Sequence, residues 1–489
     1  MNARPRLKSI PVIMALFLPL MMTVLLSCAV NPVTGKRQLN LMSESQEVAL
    51  GAQADGSISA QYGLLDDSEL AAYVEALGQS MAAVSHRPHL DFHFRLLDDP
   101  VVNAFALPGG YVYITRGILA YLNSEAALAG VIGHEIGHVT ARHGAQQYTQ
   151  QTLMGVGLMV GSALSETVAQ YADLGGTALQ LLLLKYGRDH ERQSDELGVQ
   201  YASDVGYDTR DMAEFFRTLD RLTPPDGRLP SWASTHPDPG ERHVTVLELS
   251  EQRQSAGPGP FLTARDAFLQ RLDGLMFGPN PREGFVRDGI FHHPDMAFRF
   301  PVPAGWQLQN TRTQVAMMSG QQDALVIFTM AEGESEEDAA GRFVSQQGMV
   351  LLDQGRVYLG SLPAVRTLVR ITAQDGSTQV VMSTFFRHGD LLFVFHGLCA
   401  EAGYTTHRSV LASVPDGFRT ETDPDVLQIT PVVLDVVAAP VAGTFAEVAG
   451  RYPIPAEAGM DMTGLALLNG MTTETRVERG NLLKTLTKP

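Results

Sequence analysis

Between Gly133 and His138 the chain reads Gly-His-Glu-Ile-Gly-His, inside an apolar run from Ala127 to Val139. Asn123 or Ser124 can cap a helix here, with Glu125 in its first turn. On such a helix His134 and His138 are four residues apart and share one face. Two imidazoles can then reach one ion, with Glu135 projecting beside them. The motif constrains the fold because it needs partners from elsewhere in the chain. A catalytic zinc takes three protein ligands and keeps one position open. A third ligand must therefore come from downstream.

The segment Asp189-His190-Glu191-Arg192-Gln193-Ser194-Asp195 can supply it. Glu191 and Asp195 also lie four apart on one helical face. Glu191 can offer a carboxylate oxygen to the ion. Asp195 can accept a histidine N–H from behind and fix its tautomer. The competing reading of both acids is a solvated helix face. His143, His190 and Asp189 are weaker ligand candidates. His143 lies five residues beyond His138 and is expected to face elsewhere.

The N-terminus reads as a targeting segment. Arg4, Arg6 and Lys8 precede an apolar stretch from Ile10 to Leu26, the plan of a secretory signal peptide. Pro11 and Pro19 break helices and weigh against a permanent span. Leu25-Leu-Ser-Cys28 resembles a bacterial lipobox, which implies cleavage before Cys28 and lipid on its sulfur. Ala29 stands where an aspartate would resemble an inner-membrane retention signal, so the expected place is the outer membrane, facing the periplasm. With Cys28 lipidated, only Cys399 remains, and no intramolecular disulfide can form in that oxidising compartment. Cys399 reads as a small buried hydrophobe. Loss of residues 1–27 removes three positive charges and takes the formal charge from −17 to −20. So acidic a body argues against nucleic-acid binding. It also argues against adhesion to anionic lipid by charge, leaving attachment to the acyl anchor.

With 489 residues, the chain is long enough for about three domains at ~150 residues each. Ser43 can cap one helix, and a second follows from Asp67 to about Val84 with Leu70, Val74, Leu77 and Met81 on one face. Residues 92–97 are strand-like. Asn103–Leu107 and Tyr111–Thr115 read as a hairpin turning at Pro108-Gly-Gly. Residues 152–186 are unusually apolar, but neither run reaches the ~20 residues of a span. They suggest a buried or membrane-grazing helical hairpin. Residues 251–285 look like a linker. From about Gly289 strands take over, with helices expected at 335–347 and 406–414 and a hairpin around His388-Gly-Asp390. His292 and His293 read as surface residues. Residues 428–489 run helix, Leu465-x-x-Leu-Asn-Gly, then Gly480-x-Leu-Leu-Lys, an order similar to a LysM-like module.

His134-Glu-x-x-His138 with Glu191-x-x-x-Asp195 resembles the gluzincin zinc metallopeptidases of CAAX-prenyl-protease and HtpX type, in their periplasmic lipoprotein branch. Asn31-Pro-Val-Thr-Gly-Lys-Arg-Gln-Leu, Asn103-Ala-Phe-Ala-Leu-Pro-Gly-Gly and Ser234-Thr-His-Pro-x-Pro-x-x-Arg242 fit the same branch. All five motifs lie within residues 31–250, in the order of that branch. The expected fold is α+β. It comprises a mainly helical zincin domain with a small hairpin sheet (28–250), the linker (251–285), an α+β accessory domain (286–422) and the LysM-like unit (428–489). The resemblance implies one zinc ion per chain on His134, His138 and Glu191, with Glu135 as general base. It implies that the Asn103-Ala104 strand aligns substrate as an added β-strand. His236 would lie over the site and either donate to the oxyanion or occupy the open zinc position as a latch. Arg242 would pair with a carboxylate nearby. Substrates would be unfolded or misassembled envelope polypeptides, and the LysM-like unit adds peptidoglycan as a partner. The rival readings are a zinc-bound chaperone with a site held shut and a peptidoglycan-binding scaffold. No phosphate-binding loop of the Gly-x-x-x-x-Gly-Lys-Ser/Thr type is present.

Overall fold

The computed structural model describes residues 28–161, 186–222, 236–257, 259–372 and 376–489. The expected signal peptide, most of the apolar hairpin, and Ser234 and Thr235 lie outside the described residues. Two compact units emerge. One comprises residues 1–278 with 432–487, the other residues 279–431 with the last two residues.

In the first unit, β1 (Cys28–Val30) pairs antiparallel with β2 (Arg37–Leu39). Asn31 shapes the turn between them: its Oδ1 accepts the N–H groups of Val33 and Thr34 at 2.8 and 3.1 Å. Its Nδ2 donates to the carbonyl of Ala141. The N-terminal arm is thereby fastened to the end of the helix that carries both motif histidines. Helix α1 (Glu44–Tyr62) starts from a Ser43 capping box. Helix α2 (Ser68–Ala82) starts from Asp67 and buries the expected stripe of Leu70, Val74, Leu77 and Met81.

Strand β3 (His93–Leu97) runs parallel to β5 (Tyr111–Thr115), and β4 (Ala104–Leu107) pairs antiparallel with the other side of β5. The order β3-β5-β4 leaves β4 at the edge of this sheet. Its hairpin needs glycine: Gly109 and Gly110 have φ of +91° and +98°. A Cβ on Gly109 would also come within 2.6 Å of the Glu47 carbonyl oxygen.

Helices α3 (Arg116–Tyr121), α4 (Glu125–Thr140), α5 (His143–Gly161), α6 (Arg188–Asp204), α7 (Arg210–Leu222) and α8 (Pro239–Ala256) follow. Helix α4 is buried from Ala126 to Thr140. It packs on α6 through small residues. A Cβ on Gly198 would lie 2.9 Å from the His134 backbone nitrogen, and one on Gly133 would lie 3.0 Å from the Gly198 carbonyl. This close approach brings the acids of α6 within reach of the histidines of α4.

Residues 251–285 differ from the expected linker. Helix α8 continues to Ala256, and α9 (Arg265–Arg271) buries Phe268 and Leu269 in the same core as α4. The Gly-Pro clusters suggested an open connection, whereas the apolar residues between them are used for packing.

The second unit mixes helix and sheet. Strands β6 (Phe285–Arg287), β7 (Ile290–His293) and β8 (Phe298–Pro301) lie in one sheet. A seven-stranded antiparallel sheet is built from β9 (Gln307–Asn310), β10 (Gln314–Met318), β11 (Ala324–Met330), β12 (Met349–Leu359), β13 (Leu362–Thr372), β14 (Thr378–His388) and β15 (Leu391–Ala400). Helices α10 (Glu336–Val344) and α11 (Tyr404–Asp416) fall where the sequence places them. The short strand β16 (Arg419–Thr420) joins β8. Phe291, Phe298, Phe300, Phe328, Phe386 and Phe418 form the core. His292 is not a surface residue. It is buried, with Nδ1 2.5 Å from Glu421 Oε2.

The chain then returns to the first unit. Strand β17 (Val433–Ala438) precedes the short β18 (Gly443–Thr444), α12 (Phe445–Ala449), α13 (Met462–Leu468), the short β19 (Arg476–Val477) and β20 (Leu482–Thr487). β17 pairs antiparallel with β20, and β18 with β19. Phe445, Val448, Leu465, Leu468 and Leu483 join the core that holds α4 and α7. The buried Lys484 Nζ donates to the carbonyls of Ala120 and Leu122 at 2.6 and 2.8 Å, closing the end of α3. Burial pushes that ammonium well below its ordinary pKa. The segment expected as an appended module is thus part of the first unit's core. Among the described residues, no helix is long and apolar enough to cross a membrane.

Candidate metal centre

His134, Glu135 and His138 come from α4, Glu191 and Asp195 from α6, His236 from the turn before α8, and Arg242 from α8. The first five are at most 2 % exposed. His134 Nε2 lies 3.0 Å from His138 Nε2 and 3.6 Å from Glu191 Oε2, and His138 Nε2 lies 3.4 Å from Glu191 Oε1. His236 Nδ1 is 3.3 Å from His134 Nε2 and 3.1 Å from Glu191 Oε2. One donor atom from each of these four residues lies within 4.8 Å of every other. Ligands at zinc distances in a tetrahedron stand about 3.3 Å apart, so the donor set fits the ion.

Glu135 supports this assignment. Both of its carboxylate oxygens are buried without a hydrogen-bond partner, and the nearest ion-pair contact is His236 Nε2 at 3.7 Å. Burial raises its pKa. Glu135 stands beside the four donor residues.

Behind the cluster, Asp195 Oδ1 lies 2.9 Å from His134 Nδ1. Accepting a proton there leaves the His134 Nε2 lone pair facing the cluster. Arg242 donates to both Asp195 oxygens at 2.5 and 2.8 Å, reaches Glu191 Oε2 at 3.0 Å, and lies over the Phe216 ring. Burial would raise Glu191, but the charges of His236 and Arg242 outweigh it and hold its carboxyl well below the usual range. Burial pushes His138 down, so that imidazole is neutral and able to ligate. Arg242→Ala would strand two buried carboxylates. The expected loss is about 3–5 kcal/mol, as for other broken buried pairs, read from urea unfolding midpoints.

All seven of these residues were singled out from sequence, and they meet in one place. Ala104 begins the edge strand, and Asn103 immediately precedes it. The other end of that strand borders the centre, where Ala106, Leu107 and Pro108 line a small cavity with His138 and Tyr186. Cys28 is the first residue of β1.

One neighbour, Tyr186, escaped the sequence reading, and another, His143, does not lie where the sequence places it. The Tyr186 ring lies 4.0 Å from that of His138, centroid to centroid. His143 is fully buried, and burial beside His190 pushes it down to about 3, so it is neutral. It does not face away from the centre. Arg142 adopts φ +60° and ends α4, so His143 starts a new helix that returns towards His138. Arg142 is held there by Glu47 at 2.6 Å and the Met42 carbonyl at 2.7 Å. No local sequence signal marks that break, because a non-glycine residue makes it and distant partners hold it.

Residues 68–250 match the family described as Peptidase family M48. The beta-barrel assembly-enhancing protease of Yersinia pestis is 29% identical over 249 residues, covering 48% of this chain and 50% of its own. Its counterpart in Escherichia coli K12 is 28% identical over 252 residues, covering 50% and 51%. The mitochondrial metalloendopeptidase OMA1 of Arabidopsis thaliana is 30% identical over 196 residues, covering 40% and 38%. The chain spans about half the length of the first two relatives. The paired helices, the buried donor set and the matched segment coincide, and residues 68–250 are a domain of peptidase family M48.

Proposed function

We propose that this chain is a zinc-dependent endopeptidase of the bacterial envelope that cleaves unfolded or misassembled proteins. The observation that carries the reading is the His134, His138 and Glu191 donor set with the buried Glu135 carboxylate, neither oxygen hydrogen-bonded, beside it. When bound, zinc supplies a Lewis acid that acidifies water and polarises a carbonyl. Glu135 accepts the proton from the attacking water and returns it to the leaving amine. Asp195 and Arg242 keep the ligands oriented. The edge position of β4 supports alignment of an extended substrate from Asn103 and Ala104 onward. Chelation is expected to abolish cleavage of unfolded casein and added zinc to restore it. Cleavage that survives chelation would overturn the reading.

The position of His236 favours a further element, a latch. Its Nδ1 already stands among the donor atoms, where the open coordination position would be. His236→Ala is then expected to cleave casein several-fold faster than the wild type. A dead variant would instead support a role in oxyanion stabilisation.

Other parts of the proposal rest on sequence. Lipid on Cys28 would hold the chain at the outer membrane, in the periplasm. We read residues 28–250 as the peptidase portion and 286–422 as an accessory domain that recruits substrate. The strand-helix-helix-strand order of β17, α12, α13 and β20 supports a LysM-like unit. Pull-down on purified peptidoglycan tests whether it binds glycan.

A further inference from the structure

We propose that Gln193, acting through His143, fixes His138 in the tautomer that leaves its Nε2 free for metal, making both residues positioning residues of the centre. The inference rests on reading the cluster as a metal centre.

His138 Nε2 faces the cluster, and its Nδ1 faces away, 3.1 Å from His143 Nδ1. Two imidazole nitrogens at this distance share one proton, so one must donate and the other accept. The next contact decides which. His143 Nε2 lies 2.9 Å from Gln193 Oε1, and an amide oxygen only accepts. His143 therefore carries its proton on Nε2 and presents a bare Nδ1. His138 must then donate from Nδ1, which leaves its Nε2 lone pair pointing into the cluster.

The reverse arrangement shows what depends on the amide. If Gln193 offered its NH2 group to His143, the proton of His143 would move to Nδ1. His138 would then accept there and carry its own proton on Nε2, where a metal must bind. Ser194 Oγ, 3.3 Å from His143 Nδ1, cannot make this choice, because a hydroxyl donates or accepts. The His190 ring stacks on His143 with centroids 4.2 Å apart and keeps the imidazole in place. Helix α6 thus controls both histidines of α4. Asp195 acts directly on His134, and Gln193 acts on His138 through one intervening ring.

The test is the zinc dissociation constant of the full chain, measured by competition with a chromophoric chelator. Gln193→Met keeps the volume and removes the acceptor, whereas Gln193→Glu keeps an acceptor and cannot donate. Gln193→Met and His143→Ala are expected to weaken zinc binding about 10–100-fold, and Gln193→Glu to stay within about threefold of the wild type. Gln193 is half-buried, so its variants decide the matter even if His143→Ala does not fold. The proposal is overturned if Gln193→Met binds zinc as tightly as the wild type, or if Gln193→Glu is as weak as Gln193→Met. If the wild type itself binds no zinc, the metal-centre reading falls, and this inference with it. Tight wild-type binding with an unaffected Gln193→Met removes only this inference.

Discussion

Glu135→Gln is expected to keep its zinc and lose about 10²–10⁴-fold in casein cleavage, the usual contribution of a positioned general base. The amide has the same shape as the carboxylate, so the packing of α4 is unchanged. It cannot take a proton from water. Neither oxygen of Glu135 is engaged in a hydrogen bond that the substitution would break. Burial already disfavours the charged form of Glu135, so the variant should melt no lower than the wild type. Cleavage rate and melting temperature together separate lost chemistry from lost structure. A Glu135→Gln protein that cleaves as fast as the wild type removes the enzymatic reading.

The second large effect is structural. Deleting residues 432–489 should leave the remaining chain unable to fold into a stable peptidase. Phe445, Val448, Leu465, Leu468 and Leu483 are fully buried in the core shared with α4 and α7. Their removal would expose that face to water, and the Ala120 and Leu122 carbonyls would lose Lys484. Within the full chain, Phe445→Ala alone should cost about 3–5 kcal/mol through the cavity it opens. The truncated chain is expected to be insoluble or to show no cooperative melt. A soluble 28–431 fragment that melts at the wild-type temperature would mean that the segment is an independent appendage after all.

What could be read in advance follows from the range of the forces involved. His134 and His138 were legible because helical spacing alone puts them on one face. Glu191 was legible because zinc chemistry demands a third ligand and α6 offers a second i, i+4 pair. The hairpin of β4 and β5 was legible from its glycine turn. His143 was not, because the break at Arg142 depends on Glu47, almost a hundred residues away. The packing role of residues 265–272 was hidden by the glycines and prolines that flank them. The integration of β17 to β20 into the first unit was hidden for a different reason. Local pattern marks a helix, Leu465-x-x-Leu-Asn-Gly and Gly480-x-Leu-Leu-Lys, but not the surface that Lys484 and Leu465 pack against. His292 was misread because its partner, Glu421, lies 129 residues on.

The central claim is that two neighbouring imidazoles and the Glu191 carboxylate together hold zinc. Its most direct measurement is the zinc content, by elemental analysis after dialysis, of wild type and Glu191→Gln purified in parallel. One zinc ion per wild-type chain, with most of it lost from the variant, is the predicted result. A Glu191→Gln protein that retains a full equivalent would contradict the account.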